Sequence, residues 1–342
     1  MKKSQLNQKY KFIKRIARKY CLATQKHLRK TIAFIRTRIN SWWRIALTIF
    51  FAVTFLYYPI GGWLINDTST PSFQPQNSEN NSSGISSLFY LINQETHHKI
   101  WTPNLPILFP SYILDNMPNF QLGVISSVSK TAKAYTQLNI KTVDSSAMNN
   151  LIQASEFLQY PGTIWLVAPQ NHLSPAPSSS TQYKKAARLL KVFNKSISDG
   201  KTAIPNDTVS FIILMKSIRH DLSKLIKRTA THIQEYQTSF FDFKSDDVYY
   251  YAFGKMYAYT QITKGLGNDF KEILVKYDIY STWTSLLKTL DETAALEPSV
   301  VRNAPLKSSL SPNHLAIINY QTSLAVNYIN TIINKLIQIK IK

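Results

Sequence analysis

Residues 45–65 read IALTIFFAVTFLYYPIGGWLI, twenty-one positions without a charge. An α-helix of that length rises about 31 Å, and the hydrocarbon core of a bilayer is about 30 Å thick. Trp42, Trp43 and Trp63 flank the run, where amphipathic rings favour the lipid–water boundary. The stretch predicts one transmembrane helix, and the rest of the chain divides around it.

The 342-residue chain has 40 Lys and Arg against 19 Asp and Glu, and fourteen of those basic residues precede the run. No carboxylate occurs before Asp67. A cluster of Lys and Arg on one flank predicts that the N-terminus stays in the cytoplasm and that residues 66–342 lie outside it. A cleavable signal peptide would have a short charged region, a shorter apolar core and a small-residue cleavage site. Here the basic segment runs to Arg44, and the apolar run ends without such a site. The sequence therefore reads as an uncleaved, single-pass signal anchor with residues 66–342 on the far side of the membrane from its N-terminus.

In the basic arm, 1–44, Leu28, Ile32, Ile35 and Ile39 form a helical stripe between basic faces, and Ile13, Ile16 and Tyr20 form a shorter one. Such an arm predicts contact with anionic lipid headgroups, or else a disordered segment that only sets topology. Nucleic acid is not the expected partner, because the charge is concentrated beside the span. Residues 66–84, NDTSTPSFQPQNSENNSSG, read as a disordered linker. As a flexible coil of nineteen residues it would reach roughly 25 Å. The single cysteine, Cys21, precedes the span, so nothing beyond it can form a disulfide within the chain.

Residues 85–342 read as an all-α domain, a helical bundle with long proline-rich loops. Prolines gather at 103–118, 161–177 and 298–312, marking three ordered connections. Between them the spacing predicts helices over 120–138, 146–160, 181–197, 207–236, 245–264, 270–277, 282–296 and 312 to the end. In the fourth, Phe211, Met215, Ile218, Leu222, Leu225, Thr229, His232 and Tyr236 alternate by four and three, a heptad seam. Leu315, Ile318, Thr322, Ala325, Ile329, Ile332, Leu336 and Ile339 form a second. The seams suit packing inside one bundle, or self-association. Asp207 or Asn206, Ser245 and Ser311 are expected caps, and Gly265-Leu266-Gly267 an expected helix stop. Residues 163–168 form the best short strand.

No P-loop, dinucleotide turn, H-E-x-x-H, cysteine cluster or G-x-S-x-G occurs. No metal site or cofactor is expected: His97 and His98 are adjacent and point apart, and Asp246-Asp247 suit a helix first turn. His220 reads as solvated and His232 as part of the seam. The Tyr249-Tyr250-Tyr251 run reads as core, with a carbohydrate platform as the sharper alternative. The proline loops hold Trp101, Asp115, Asn116, Asn119, Trp165, His172, Asn303, Asn313 and His314. Long loops on a rigid scaffold commonly carry sites. Trp101, Asn116, Asn119, Trp165 and Asn313 are candidate binding residues. Asp115 or Glu297 with His314 is the candidate acid/base pair. Against this, the same residues serve to satisfy loop backbone.

Several motifs fall in one order: His98-Lys-Ile-Trp101-Thr-Pro-Asn104, Leu114-Asp-Asn-Met-Pro-Asn-Phe120-Gln with Gly123, Tyr160-Pro-Gly162 with Trp165, Asp246-Asp with Tyr250, Gly254-x-x-Tyr257-Ala-Tyr259, and Pro312-Asn-His314-Leu. In these the chain resembles an uncharacterised bacterial family, a domain of unknown function in single-pass inner-membrane proteins. The resemblance implies an inner-membrane location and no activity. The expected function is a non-enzymatic interaction or scaffold module with an envelope protein partner. The alternative is an envelope hydrolase or carbohydrate-binding domain with its site in the loops.

Overall fold

The computed structural model describes residues 24–26, 28–31, 41–75, 81–168, 174–236, 242, 244–296, 298, 300–304 and 312–341. Most of the basic arm, His172, Glu297 and Ser311 lie outside them. The chain forms two compact units, Met1–Pro59 and Ile60–Lys342.

Helix α1 spans Ser41–Ile65 and has Pro59 inside it. Among the described residues it is the one helix long and apolar enough to cross a membrane, and most of its described large side chains, Phe50, Phe55 and Trp63 among them, are exposed. The second unit is mostly helical. In order it contains α2 (Ser83–Asn93), a π-helical turn (Gln94–His98), α3 (Asn116–Tyr135) and α4 (Ser145–Leu158), then α5 (Ser179–Ser198), α6 (Thr208–Tyr236) and α7 (Ser245–Asp269), and finally α8 (Lys271–Lys276), α9 (Tyr280–Thr293) and α10 (His314–Ile341). The strands have two residues each: β1 (Lys141–Thr142) pairs antiparallel with β4 (Thr202–Ala203), and β2 (Val167–Ala168) with β3 (Ser174–Pro175). The β2–β3 pair accounts for only the end of the strand expected at 163–168.

Helix α7 is the centre of the unit. Tyr249, Phe253, Met256, Tyr257, Tyr259, Ile262 and Leu266 are all buried, so apolar surface faces inward around most of its circumference. It packs on α2, α3, α9 and α10. The crossing with α3 is set by two glycines. A Cβ on Gly254 would lie 2.1 Å from the Phe120 carbonyl oxygen, and one on Gly123 would lie 2.2 Å from that of Tyr251. Backbone therefore rests on backbone there. The same device recurs against α2, where a Cβ on Gly265 would meet the Ser83 carbonyl oxygen at 2.5 Å.

That use of Gly265 corrects the expected stop at 265–267: α7 continues through it to Asp269. Gly265 admits the α2 backbone, and Gly267 lies under the Trp283 indole. Close packing outweighs the cost of glycine in a helix, which is about 1 kcal/mol per residue. Two caps are also corrected. The Ser245 hydroxyl donates to the Asp242 carbonyl, and Asp242 Oδ1 accepts the Lys244 N–H, so Ser245 is the first residue of α7 and does not cap it. At α10 the capping side chain is Asn313, whose Oδ1 accepts the Ala316 N–H at 2.8 Å. Asp207 does cap α6, accepting from the Ser210 N–H.

The two heptad seams pack within the chain. From Phe211 to His232 on α6, and from Leu315 to Leu336 on α10, every seam residue is buried. Asn319 Nδ2 donates to Thr229 Oγ1 and to the Ile226 carbonyl, and Arg219 to Asn330 Oδ1, tying the helices together.

Residues 66–75 have no regular secondary structure, but they are not a free tether. Phe73 is buried, and its N–H donates to Gln261 Oε1. The hydroxyls of Tyr90 and Tyr257 both donate to the Pro71 carbonyl. The Lys99 ammonium donates to the carbonyls of Asp67 and Ser69 at 3.0 and 2.8 Å. The reach of a flexible coil therefore does not apply to this half of the segment.

Helix α2, which takes in the last two residues of the expected linker, was not among the expected helices. Its N-terminus is held by Asp269, the last residue of α7. That carboxylate accepts from the Ser82 hydroxyl and from the N–H groups of Ser83 and Gly84 at 2.6–2.9 Å. Burial pushes the Asp269 carboxyl up, and these three donors oppose that shift.

Candidate functional site: the first proline loop and its neighbours

The loop between the π-helical turn and α3 links to the second proline loop at one end and to the N-terminus of α7 at the other. At its start the buried Trp101 donates its indole N–H to the Gly162 carbonyl at 2.9 Å and sets its ring edge-on to Tyr183. Asn104 Nδ2 donates to the Ile164 carbonyl at 2.7 Å. Gln121 on α3 closes the base. Its Oε1 accepts both the N–H and the hydroxyl of Thr102, and its Nε2 donates to the Ile100 carbonyl. These contacts fix the loop and use up the polar atoms involved.

Beneath the loop lies a buried charged pair. Glu95 is fully buried, and neither of its carboxylate oxygens has a hydrogen-bond partner. Lys99 Nζ stands 3.8 Å away and 5.3 Å from the centre of the Phe120 ring. Burial pushes the Glu95 carboxyl up to about 7, with the Lys99 charge opposing it.

At the far end Asp115 accepts the Asn116 N–H and begins α3. Asn119 Nδ2 donates to the Asp115 carbonyl and to Asp247 Oδ1 at 2.7 Å. Carboxylate oxygens of Asp115, Asp246 and Asp247 lie within 4.8 Å of one another. Partial burial and mutual repulsion raise the pKa of Asp246 and of Asp247. The adjacent Asp246-Asp247 pair is visible in the sequence, but the partner Asp115 lies far earlier in the chain and no local signal joins them. Three clustered acids do not by themselves define a metal site.

The third loop approaches the same end of α7. The Tyr249 hydroxyl donates to the Leu296 carbonyl, and its ring meets His314 at 6.3 Å. His314 Nδ1 accepts the Arg302 N–H, and burial followed by the Arg302 charge pushes the imidazole pKa down. Asp115 and His314 thus have different partners: the first lies among carboxylates and the second among backbone groups and Tyr249. Asn313 Nδ2 donates to Asn303 Oδ1 and to the Ala304 carbonyl, so this candidate side chain is committed to the loop and the α10 cap. Asp242 accepts from Asn303 and bonds His232, which stacks on Tyr236.

Of the five candidate binding residues, Trp165 is the exposed one, with its ring set edge-on to Phe109. A cavity of about 690 Å³ lies elsewhere, between Ser82, Gly200, Thr202, Asn206 and Asp269. Comparison with family models, with curated proteins and with solved structures gives no match for this chain.

Proposed function

We propose that this chain is a single-pass protein of a bacterial inner membrane. Its basic N-terminus is cytoplasmic, its helical unit is periplasmic, and that unit acts as a non-enzymatic interaction or scaffold module in the envelope. The observation carrying this reading is how the loop side chains are used. Trp101, Asn104 and Asn313 all donate to groups of the protein itself, which suits loops built for rigidity. The basic arm would meet anionic headgroups of the cytoplasmic leaflet. The family resemblance supports the same location.

Site-specific photo-crosslinking in intact cells tests the proposal, with the photoreactive residue placed at exposed positions of the helical unit. The reading expects discrete crosslinked envelope proteins and fails if none is recovered. The second reading, a hydrolase or carbohydrate-binding domain, rests on the Asp115–Asp246–Asp247 cluster with its raised carboxyl pKa values. Under it, Asp115→Ala and His314→Ala abolish complementation of a deletion strain; full complementation by both overturns it.

A further inference from the structure

The first proline loop exposes an unusual set of side chains. Ile107, Leu108, Phe109, Tyr112 and Ile113 are all exposed, and Trp165 and Leu166 of the second loop extend the set through the Phe109–Trp165 ring contact. Leu108 is 75% accessible, Tyr112 56% and Leu166 56%. No charged residue falls between Ile100 and Leu114. A contiguous apolar surface rimmed by aromatics on an otherwise well-packed unit marks an interaction site.

The occupant is indicated by what the loop rests on. A Cβ on Gly61 would lie 2.6 Å from Pro110 Cβ and Cγ, and one on Gly62 would lie 3.5 Å from Leu114 Cδ2. The middle of the loop is therefore packed on the last turn of α1, the end of the apolar run. Trp63 on that turn is 77% exposed, the placement of an interfacial anchor. Lys99 then clamps Asp67 and Ser69, so the chain leaving α1 has no slack to carry the loop away. Position along the chain thus fixes the loop at the depth where hydrocarbon ends and headgroups begin.

The geometry points to residues 107–113, with Trp165 and Leu166, as a membrane-dipping wedge that inserts into the periplasmic leaflet beside the exit of α1. The aliphatic side chains enter the acyl region, and Tyr112 and Trp165 sit at headgroup level with their polar atoms hydrated. Tyr257, Tyr90 and Gln261 hold residues 71–73 against the unit, which keeps the wedge beside the last turn of α1. The inference rests on the reading of α1 as a span.

The test uses the full chain with Cys21→Ser, reconstituted into phosphatidylethanolamine–phosphatidylglycerol vesicles. Single cysteines are placed at Ile113, Leu166, Ala52 in the apolar run, and the exposed Lys288. Each is labelled with a polarity-sensitive fluorophore and quenched by nitroxide lipids. In parallel, unlabelled samples react with a water-soluble maleimide. The wedge predicts quenching of Ile113→Cys and Leu166→Cys by shallow nitroxides, quenching of Ala52→Cys by deep ones, and none at Lys288→Cys. Maleimide labelling at 113 and 166 should be about tenfold or more slower than at 288, the factor expected when an apolar side chain must leave lipid to react.

If Ala52→Cys is quenched while 113 and 166 behave like 288, the wedge is wrong and the span stands. Loss of quenching at Ala52→Cys sinks both. Protection of 113 and 166 without lipid quenching, with disulfides forming between chains, overturns the wedge in favour of a docking face for a second copy.

Discussion

Replacing Lys255 by methionine isolates the most exacting interaction of the core. Lys255 and Asp221 have side chains 3% and 8% accessible and form a direct ion pair between α7 and α6. The Lys255 ammonium also donates to Ser126 Oγ at 3.0 Å, and the Tyr259 hydroxyl donates to the same Asp221 oxygen at 2.7 Å. Methionine nearly matches the lysine stem in volume, so the Lys255→Met variant removes the cation and leaves the packing. Asp221 is then a buried carboxylate with one neutral donor. Stranding a buried charge in this way costs about 3–5 kcal/mol. Removing every member with Lys255→Met, Asp221→Leu and Tyr259→Phe leaves no unpaired group of the triad. That triple variant should therefore be at least about 2 kcal/mol more stable than the single one. Urea unfolding of the full chain in detergent micelles, followed by far-ultraviolet circular dichroism, measures both. If Lys255→Met costs less than about 1 kcal/mol, the size of an ordinary hydrogen bond, the reasoning fails. It fails equally if the triple variant is the less stable, because single-site losses that simply add mean uncoupled groups.

Other parts of the structure lead to three more expected outcomes. Gly254→Ala places a methyl 2.1 Å from the Phe120 carbonyl oxygen and should cost about 3 kcal/mol, seen as a lower midpoint in thermal unfolding, with Gly200→Ala, which meets no neighbour but sits at φ +71°, costing less. The Glu95 carboxyl, raised to about 7 by burial, binds protons in the folded state that the unfolded chain releases near 4.5. Its stabilising contribution is therefore full below about pH 4.5 and declines as pH rises to about 7, by about 3 kcal/mol, and the difference in pH profile between wild type and Glu95→Gln measures it. Asn313→Ala removes the α10 cap and its bond to Asn303, and should lower stability by about 1–2 kcal/mol with faster hydrogen exchange in the first turn of α10.

Much of this architecture is local and periodic, and that part is readable in the sequence. The seams of α6 and α10 face inward because each repeats over several turns, and periodicity of that length has few competing explanations. The apolar run of α1 is legible too: composition alone sets its length and, beyond Arg44, its lack of charge. What escapes is whatever depends on a distant partner. Gly265 looks like a stop until the α2 backbone is seen lying on it. Residues 66–75 look like a tether because the sequence does not show that Gln261, Tyr257 and Lys99 receive them. Helix α2 comes after a polar run and is capped by Asp269, some 185 residues away, so its start carries little local signal beyond Ser82.

The candidate site divides along the same line. Trp101 and Asn313 are residue types that suit a binding cleft, yet each donates to a loop carbonyl that only the fold brings near. The Asp115–Asp246–Asp247 cluster joins α3 to α7, and spacing along the chain holds no trace of it. The exposed apolar loop at 107–113 is visible as a composition, but its meaning comes from Pro110 lying on Gly61.

The proposed topology is tested most directly by paired reporters fused after Lys342, one that matures only in the periplasm and one that fluoresces only in the cytoplasm. An active periplasmic reporter and a dark cytoplasmic one are expected, with the signal following the membrane fraction. A fluorescent cytoplasmic reporter on a chain still held in the membrane would invert the topology and contradict the account.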